Sequence, residues 1–130
     1  MEEPNRALIL VVEHDPHIKK LERFFLEKAG FRVEFVDDGA QGLARACELL
    51  PRIVITEIML PSVDGLKVCR ALKSDPATAH IPILVFSILS AEDRAREAGA
   101  NAFLRKPLDD ERLVDTVTRL LADAAEGGRP

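Results

Sequence analysis

Apolar residues along the chain fall into five short runs, and each run is followed by a segment with helical spacing. Residues 7–12 are apolar without a break, which predicts a strand covered on both faces. Residues 31–36 alternate, with Phe31, Val33 and Phe35 set against Arg32 and Glu34, as expected of a short strand near a sheet edge. Residues 53–55 are β-branched and too few for a helix, and 83–86 and 102–104 complete the set.

The intervening segments carry helix signals. Asp15 followed by Pro16 is an N-cap with proline at the first helical position; Ile18, Leu21, Phe24, Phe25 and Leu26 then supply the apolar side, and Gly30 closes the segment. A second helix is expected over 40–50, with Leu43, Ala46 and Cys47 inward and Pro51 as its stop. A third covers 63–74 through Leu66, Val68, Cys69 and Leu72, and a short fourth covers 91–98, closed by Gly99. The fifth runs from 109 to about 124 on Leu113, Val114, Val117, Leu120 and Leu121, its acidic start suiting the positive end of the helix dipole. Residues 1–124 therefore read as one domain and 125–130 as a tail or the start of a linker. Strand and helix alternating five times, with short connections, imply a parallel sheet with helices on both faces.

Composition narrows the class of protein. Hydrophobic residues make up 47% of the 130 and charged residues 31%, a globular balance, and the net charge of -4 lacks the basic footprint of a DNA-binding domain. No apolar run approaches the ~20 residues of a membrane span and the N-terminus is acidic, so a cytoplasmic domain with reduced Cys47 and Cys69 is expected.

Candidate chemistry lies at the strand ends, where open parallel sheets collect their sites. Glu13 and His14 follow the first run, Glu57 follows the third after Thr56, and Ser87 ends the fourth. Lys106, after the fifth, can reach the same crevice. Two acids, a hydroxyl and an ammonium suit a phosphoryl group and a divalent cation. Neither a GxGxxG nor a GxxxxGK[ST] loop is present, which argues against a dinucleotide or nucleoside triphosphate site.

These residues bring in a resemblance. Leu8-Ile9-Leu10-Val11-Val12 followed by an acid, Met59-Leu60-Pro61 with Asp64-Gly65, Ile81-Pro82-Ile83 running to Ser87, Ala98-Gly99-Ala100 and Lys106-Pro107 stand in one order and spacing. Over about residues 7–122 the chain resembles the receiver domains of two-component response regulators. The resemblance implies a flavodoxin-like five-stranded parallel sheet of order 2-1-3-4-5. It also implies a signalling and protein-interaction module that is not an enzyme.

In that family an aspartate after the third strand takes a phosphoryl group from a histidine kinase, beside Mg²⁺. Residue by residue, Glu57 stands at the phosphoacceptor and Ser87, Phe103 and Lys106 at the switch and phosphoryl-contact positions. Glu13, His14, Glu57 and Met59 stand at the metal positions. The resemblance further implies protein partners on the face of the fourth helix, fifth strand and fifth helix, a histidine kinase among them. It implies neither nucleic acid nor membrane binding, and a monomer or weak dimer.

Three positions depart from the family pattern. Glu57 is one methylene longer than aspartate, His14 removes a carboxylate from the metal set, and the segment from Ser87 to Gly99 is about one helical turn short. The expectation is a pseudo-receiver whose Glu57 partly imitates the phosphorylated state, with Mg²⁺ binding weakened. The alternatives are a phosphorelay receiver still phosphorylated there, or a small Mg²⁺-dependent phosphatase-like enzyme. The latter lacks a GxSxG elbow and a suitably placed second acid.

Overall fold

The computed structural model describes residues 6–107 and 109–127. Each apolar run forms a strand: β1 (Leu8–Val12), β2 (Arg32–Val36), β3 (Ile53–Thr56), β4 (Ile83–Ser87) and β5 (Ala102–Arg105). Between and after them lie α1 (Pro16–Lys28), α2 (Gly39–Leu49), α3 (Gly65–Ser74), α4 (Glu92–Glu97) and α5 (Asp110–Gly127). The strands pair in parallel in the order β2-β1-β3-β4-β5, as the alternation and the resemblance imply. β1 and β3 are neighbours, as are β3 and β4, so the residues that follow them meet at one edge.

Side-chain alternation splits the core in two. Leu10, Val12, Val54 and Val85 face α2, α3 and α4 through Ala46, Leu66, Leu72 and Ala95. Ile9, Val11, Ile53, Ile55 and Phe86 face α1 and α5 through Leu26, Leu113, Val117 and Leu120. Burying each such side chain contributes roughly 1.5–3 kcal/mol, enough to hold short helices that would melt alone.

Aspartates start the helices beside the site. Asp15 accepts from the N–H groups of His17 (2.8 Å) and Ile18 (3.3 Å), and those bonds hold its carboxyl below the usual range. Asp38 caps α2 through Gln41 N–H, and Asp64 caps α3 through Leu66 and Lys67 N–H. Asp64 therefore starts α3 at Gly65, two residues later than the apolar pattern suggests.

Three further expectations are corrected. Phe24 is 58% exposed, because the inward row of α1 runs through Ile18, Leu21, Glu22, Phe25 and Leu26, and position 24 lies on the other side. Cys47 is exposed because α2 packs through its smallest residues, Gly39, Gly42 and Ala46, and position 47 is turned about 100° past them. At its far end α5 continues to Gly127, so residues 125–127, read as tail, are helical; 128–130 lie outside the described residues.

The loop between β3 and α3 is bolted to α2. Gly39 N–H donates to Pro61 O (3.2 Å), Ala40 N–H to Ser62 Oγ (3.2 Å), and Ser62 Oγ to Asp38 (3.1 Å). Gly65 N–H donates to Ile58 O (2.8 Å), and a Cβ on Gly65 would stand 1.9 Å from the carbonyl oxygen of Glu57. Backbone cannot yield as a side-chain tip can. Gly65→Ala should cost about 2–3 kcal/mol in chemical denaturation and shift the Glu57 amide resonance; an unperturbed variant would mean that the loop gives way.

Candidate functional site

The carboxyl ends of β1, β3 and β4 and the residue after β5 meet at one place. Glu13 extends β1, its N–H donating to Val36 O (3.0 Å), and Glu57 extends β3, its N–H donating to Val12 O (3.1 Å). Ser87 ends β4, and the N–H of Lys106 donates to Ser87 O (2.8 Å). Sheet pairing thus fixes the four backbones before any side chain is considered.

The side chains then close a network. Lys106 Nζ lies 2.6 Å from Glu13 Oε1 and 3.2 Å from Glu57 Oε2. The second contact is an ion pair without hydrogen-bond alignment, and Glu57 Oε2 has no hydrogen-bond donor among the described residues. Ser87 Oγ donates to Glu57 Oε1 at 2.5 Å and is itself held by the N–H of Leu89 (3.1 Å). Met59 N–H adds a long 3.4 Å contact to Glu57 Oε1, and Asp15 N–H donates to Glu13 Oε2 at 3.1 Å. Thr56 Oγ1 donates to the Glu57 carbonyl at 2.9 Å.

Water is largely excluded. Glu13 and Glu57 are 3% and 5% exposed, and the Lys106 side chain 6%. Burial by itself would lower the Lys106 pKa, but its bond to Glu13 and the charges of Glu13 and Glu57 outweigh that, and the ammonium is held above the ordinary lysine range. Its Nζ also stands 5.4 Å from the centre of the Phe86 ring. The Lys106–Pro107 peptide is cis.

The other residues singled out in the sequence lie apart. His14 is exposed, and Met59 is exposed with only its backbone near Glu57. Phe103 is half-buried against the α2–α3–α4 core and borders a cavity of about 560 Å³ with Ser90, Arg94, Arg105 and Arg112. Outside that set, Asn101 accepts from Ile83 N–H at 2.9 Å and so secures the start of β4.

A divalent cation at the metal positions would need oxygens from Glu13 and Glu57, and both acids already face the Lys106 ammonium. Among the described residues no group of three His, Cys, Asp or Glu side chains is placed to hold a metal ion. The residues do not fit the metal in this arrangement.

Sequence reasoning missed Glu22. It is 1% exposed on α1, and its Oε1 has no hydrogen-bond partner among the described residues. Burial, then the charge of Glu13, pushes its carboxyl up to about 8; Lys106 opposes this and Glu57 adds to it. The available signal was an acid within the i, i+4 row Ile18–Glu22–Leu26.

Comparison with known proteins agrees with the architecture. The family model described as response regulator receiver domain matches residues 9–118. The chain is 39% identical over 116 residues to the DNA-binding dual master transcriptional regulator RpaA of Synechocystis, covering 87% of this chain but 48% of RpaA. It is 32% identical over 119 residues to the polar-differentiation response regulator DivK of Brucella abortus, covering 89% of this chain and 97% of DivK. Thus the chain spans about half of one relative and nearly all of another.

Among solved structures, a response regulator from Chloroflexus aurantiacus has a TM-score of 0.87 at 30% identity, covering 91% of this chain and 99% of that one. The receiver domain of the sensor histidine kinase PA1611 from Pseudomonas aeruginosa, solved with a magnesium ion coordinated in its active-site cleft, has a TM-score of 0.83 at 26% identity, covering 90% and 98%. No helix among the described residues is long and apolar enough to cross a membrane. By the matched family model and by its sheet order, this chain belongs to the response regulator receiver domains.

Proposed function

We propose that this receiver domain works as a signalling and protein-interaction module whose switch is held in one position by Glu57 and is not set by aspartyl phosphorylation. The observation that carries the reading is the pair of contacts made by one carboxylate: Oε1 with the Ser87 hydroxyl at 2.5 Å and Oε2 with the Lys106 ammonium at 3.2 Å. The resemblance assigns those two groups to phosphoryl oxygens, and Glu57 reaches both without a phosphoryl group. The extra methylene places the carboxylate on the order of 1.5 Å further from the backbone than aspartate would.

Attack by Glu57 on an incoming phosphoryl donor is correspondingly disfavoured. The oxygen bonded to Ser87 would have to give up that bond, and in-line geometry is sensitive to shifts of ~1 Å. Lys106, lying between Glu13 and Glu57, supplies the positive charge that a divalent cation would otherwise bring. The output in this reading is a standing surface on α4, β5 and α5, where Arg94, Arg105 and Arg112 border the cavity beside Phe103. The partner is a protein, and a histidine kinase that recognises the fold without transferring phosphate is compatible with the site.

Incubation with acetyl phosphate and Mg²⁺, followed by intact-mass and peptide analysis, tests the reading. The expected result is an unmodified Glu57. An acid-stable, base-labile acyl phosphate on Glu57 would overturn it in favour of a working phosphorelay receiver.

A further inference from the structure

Behind the network lies a buried acid that it does not use. Glu22 sits two turns into α1, on the side of the sheet packed by Ile9, Val11, Leu26, Leu113 and Val117. Helical side chains lean toward the N-terminus of their helix, and α1 begins directly after Glu13, His14 and Asp15. The charged groups acting on Glu22 all come from the strand ends: Glu13, Glu57 and Lys106. From α5 the neighbouring side is built by Leu113, Val117 and Leu120 with the buried Thr116, since its charged residues Asp110, Glu111, Arg112, Asp115, Arg119 and Asp123 are exposed; β2 contributes Val33 and Phe35 on this side. One carboxyl oxygen of Glu22 is left without any hydrogen-bond partner among the described residues.

We infer that Glu22 is a proton-binding site built behind the Glu13–Glu57–Lys106 network, and that release of its proton regulates that network. The inference deepens the proposed function, because it rests on Glu57 and Lys106 forming the switch. A neutral carboxyl is the form that an apolar wall and two nearby carboxylates favour, and burial with the Glu13 charge raises Glu22 to about 8. Proton loss to solvent leaves three carboxylates around one ammonium. The contact most exposed to this change is Lys106–Glu57, which at 3.2 Å and without hydrogen-bond alignment is the weaker of the lysine's two pairs. The new charge attracts Lys106, repels Glu57, and so loosens the arrangement that Ser87 completes. A rise in pH through the neutral-to-alkaline range is thus the signal, and the Lys106–Glu57 pair is what it acts on.

Carboxyl-detected NMR of the whole chain with ¹³C-labelled glutamate, titrated from about pH 5 to about pH 10, reads Glu22 directly. Its midpoint is expected far above that of ordinary glutamates. Glu57→Gln removes a like charge and should move the midpoint down; Lys106→Met removes the cation and should move it up, each by roughly half a unit or more. The Ser87 and Lys106 amide signals should shift with the same midpoint in the wild type and lose that shift in Glu22→Gln, a variant that keeps the volume of the side chain.

A Glu22 midpoint in the ordinary glutamate range would overturn the inference. So would a midpoint indifferent to Glu57→Gln, or an alkaline amide shift that persists in Glu22→Gln. The mass analysis for acyl phosphate on Glu57 does not sense Glu22, so a failure of the proposed function and a failure of this inference give different results.

Discussion

Replacing Glu22 by methionine should make the protein more stable, and increasingly so as pH rises. The folded state raises this carboxyl from 4.5 to about 8, which means that it favours the protonated form relative to the unfolded chain. The stability associated with that form is fully present below 4.5 and is lost as pH rises toward 8. Through linkage the loss amounts to about 3 kcal/mol at pH 7 and approaches about 5 kcal/mol above pH 9. Methionine is unbranched and similar in length and carries no charge, so it should fill the same space and escape the loss. Urea denaturation of both proteins at pH 5, 7 and 9 measures this, since titrations of groups that do not interact with Glu22 cancel in the difference. A variant equal to or weaker than the wild type at pH 9 would show that Glu22 finds a partner or water when ionised.

The opposite sign is expected of Lys106→Met. It removes the only cation that, among the described residues, contacts two acids that are 3% and 5% exposed, and a charge stranded in that way costs about 3–5 kcal/mol. The loss should be partly recovered by millimolar Mg²⁺ or Mn²⁺, because the vacated space between Glu13 and Glu57 would then accept an external cation that binds only the folded form. Thermal denaturation of the variant with and without the ion reads both effects. A variant as stable as the wild type would mean that the two acids reach solvent, and the network would then be decoration.

These two substitutions also mark what the sequence discloses and what it conceals. The strands were readable because each is a continuous or alternating apolar run, and a parallel sheet then dictates that Glu13, Glu57, Ser87 and Lys106 meet at one edge. Asp15 and Pro16 announced α1 through capping chemistry that is local to a few residues. The interior use of Glu22 was not readable in the same way. An acid in an amphipathic helix ordinarily marks the outer face, and only tertiary packing turned this one inward while leaving Phe24 outside. Cys47 misled for a related reason, since the tight approach of α2 through Gly39 and Gly42 selects a narrower inner face than hydrophobicity suggests. The end of α5 went unmarked because Ala124, Ala125 and Glu126 are helix formers with no breaker among them. Direction was legible only through the resemblance, which already pointed Glu57 toward Ser87 and Lys106; which carboxylate oxygen meets which group depends on side-chain geometry beyond any pattern.

The anchored loop between β3 and α3 bears on how such a chain could change over generations. Gly39 and Gly65 sit against backbone, and the loop cannot slide to follow a shorter side chain at position 57. Glu57→Asp alone would retract the carboxylate by roughly 1.5 Å and open its bond to Ser87, while His14 would still stand where the family pattern has an acid. Under the proposed function, that single change gives up the present contact without supplying the acidic pair of the family pattern. In that reading positions 14 and 57 have to change together, which makes the glutamate at position 57 hard to exchange one step at a time.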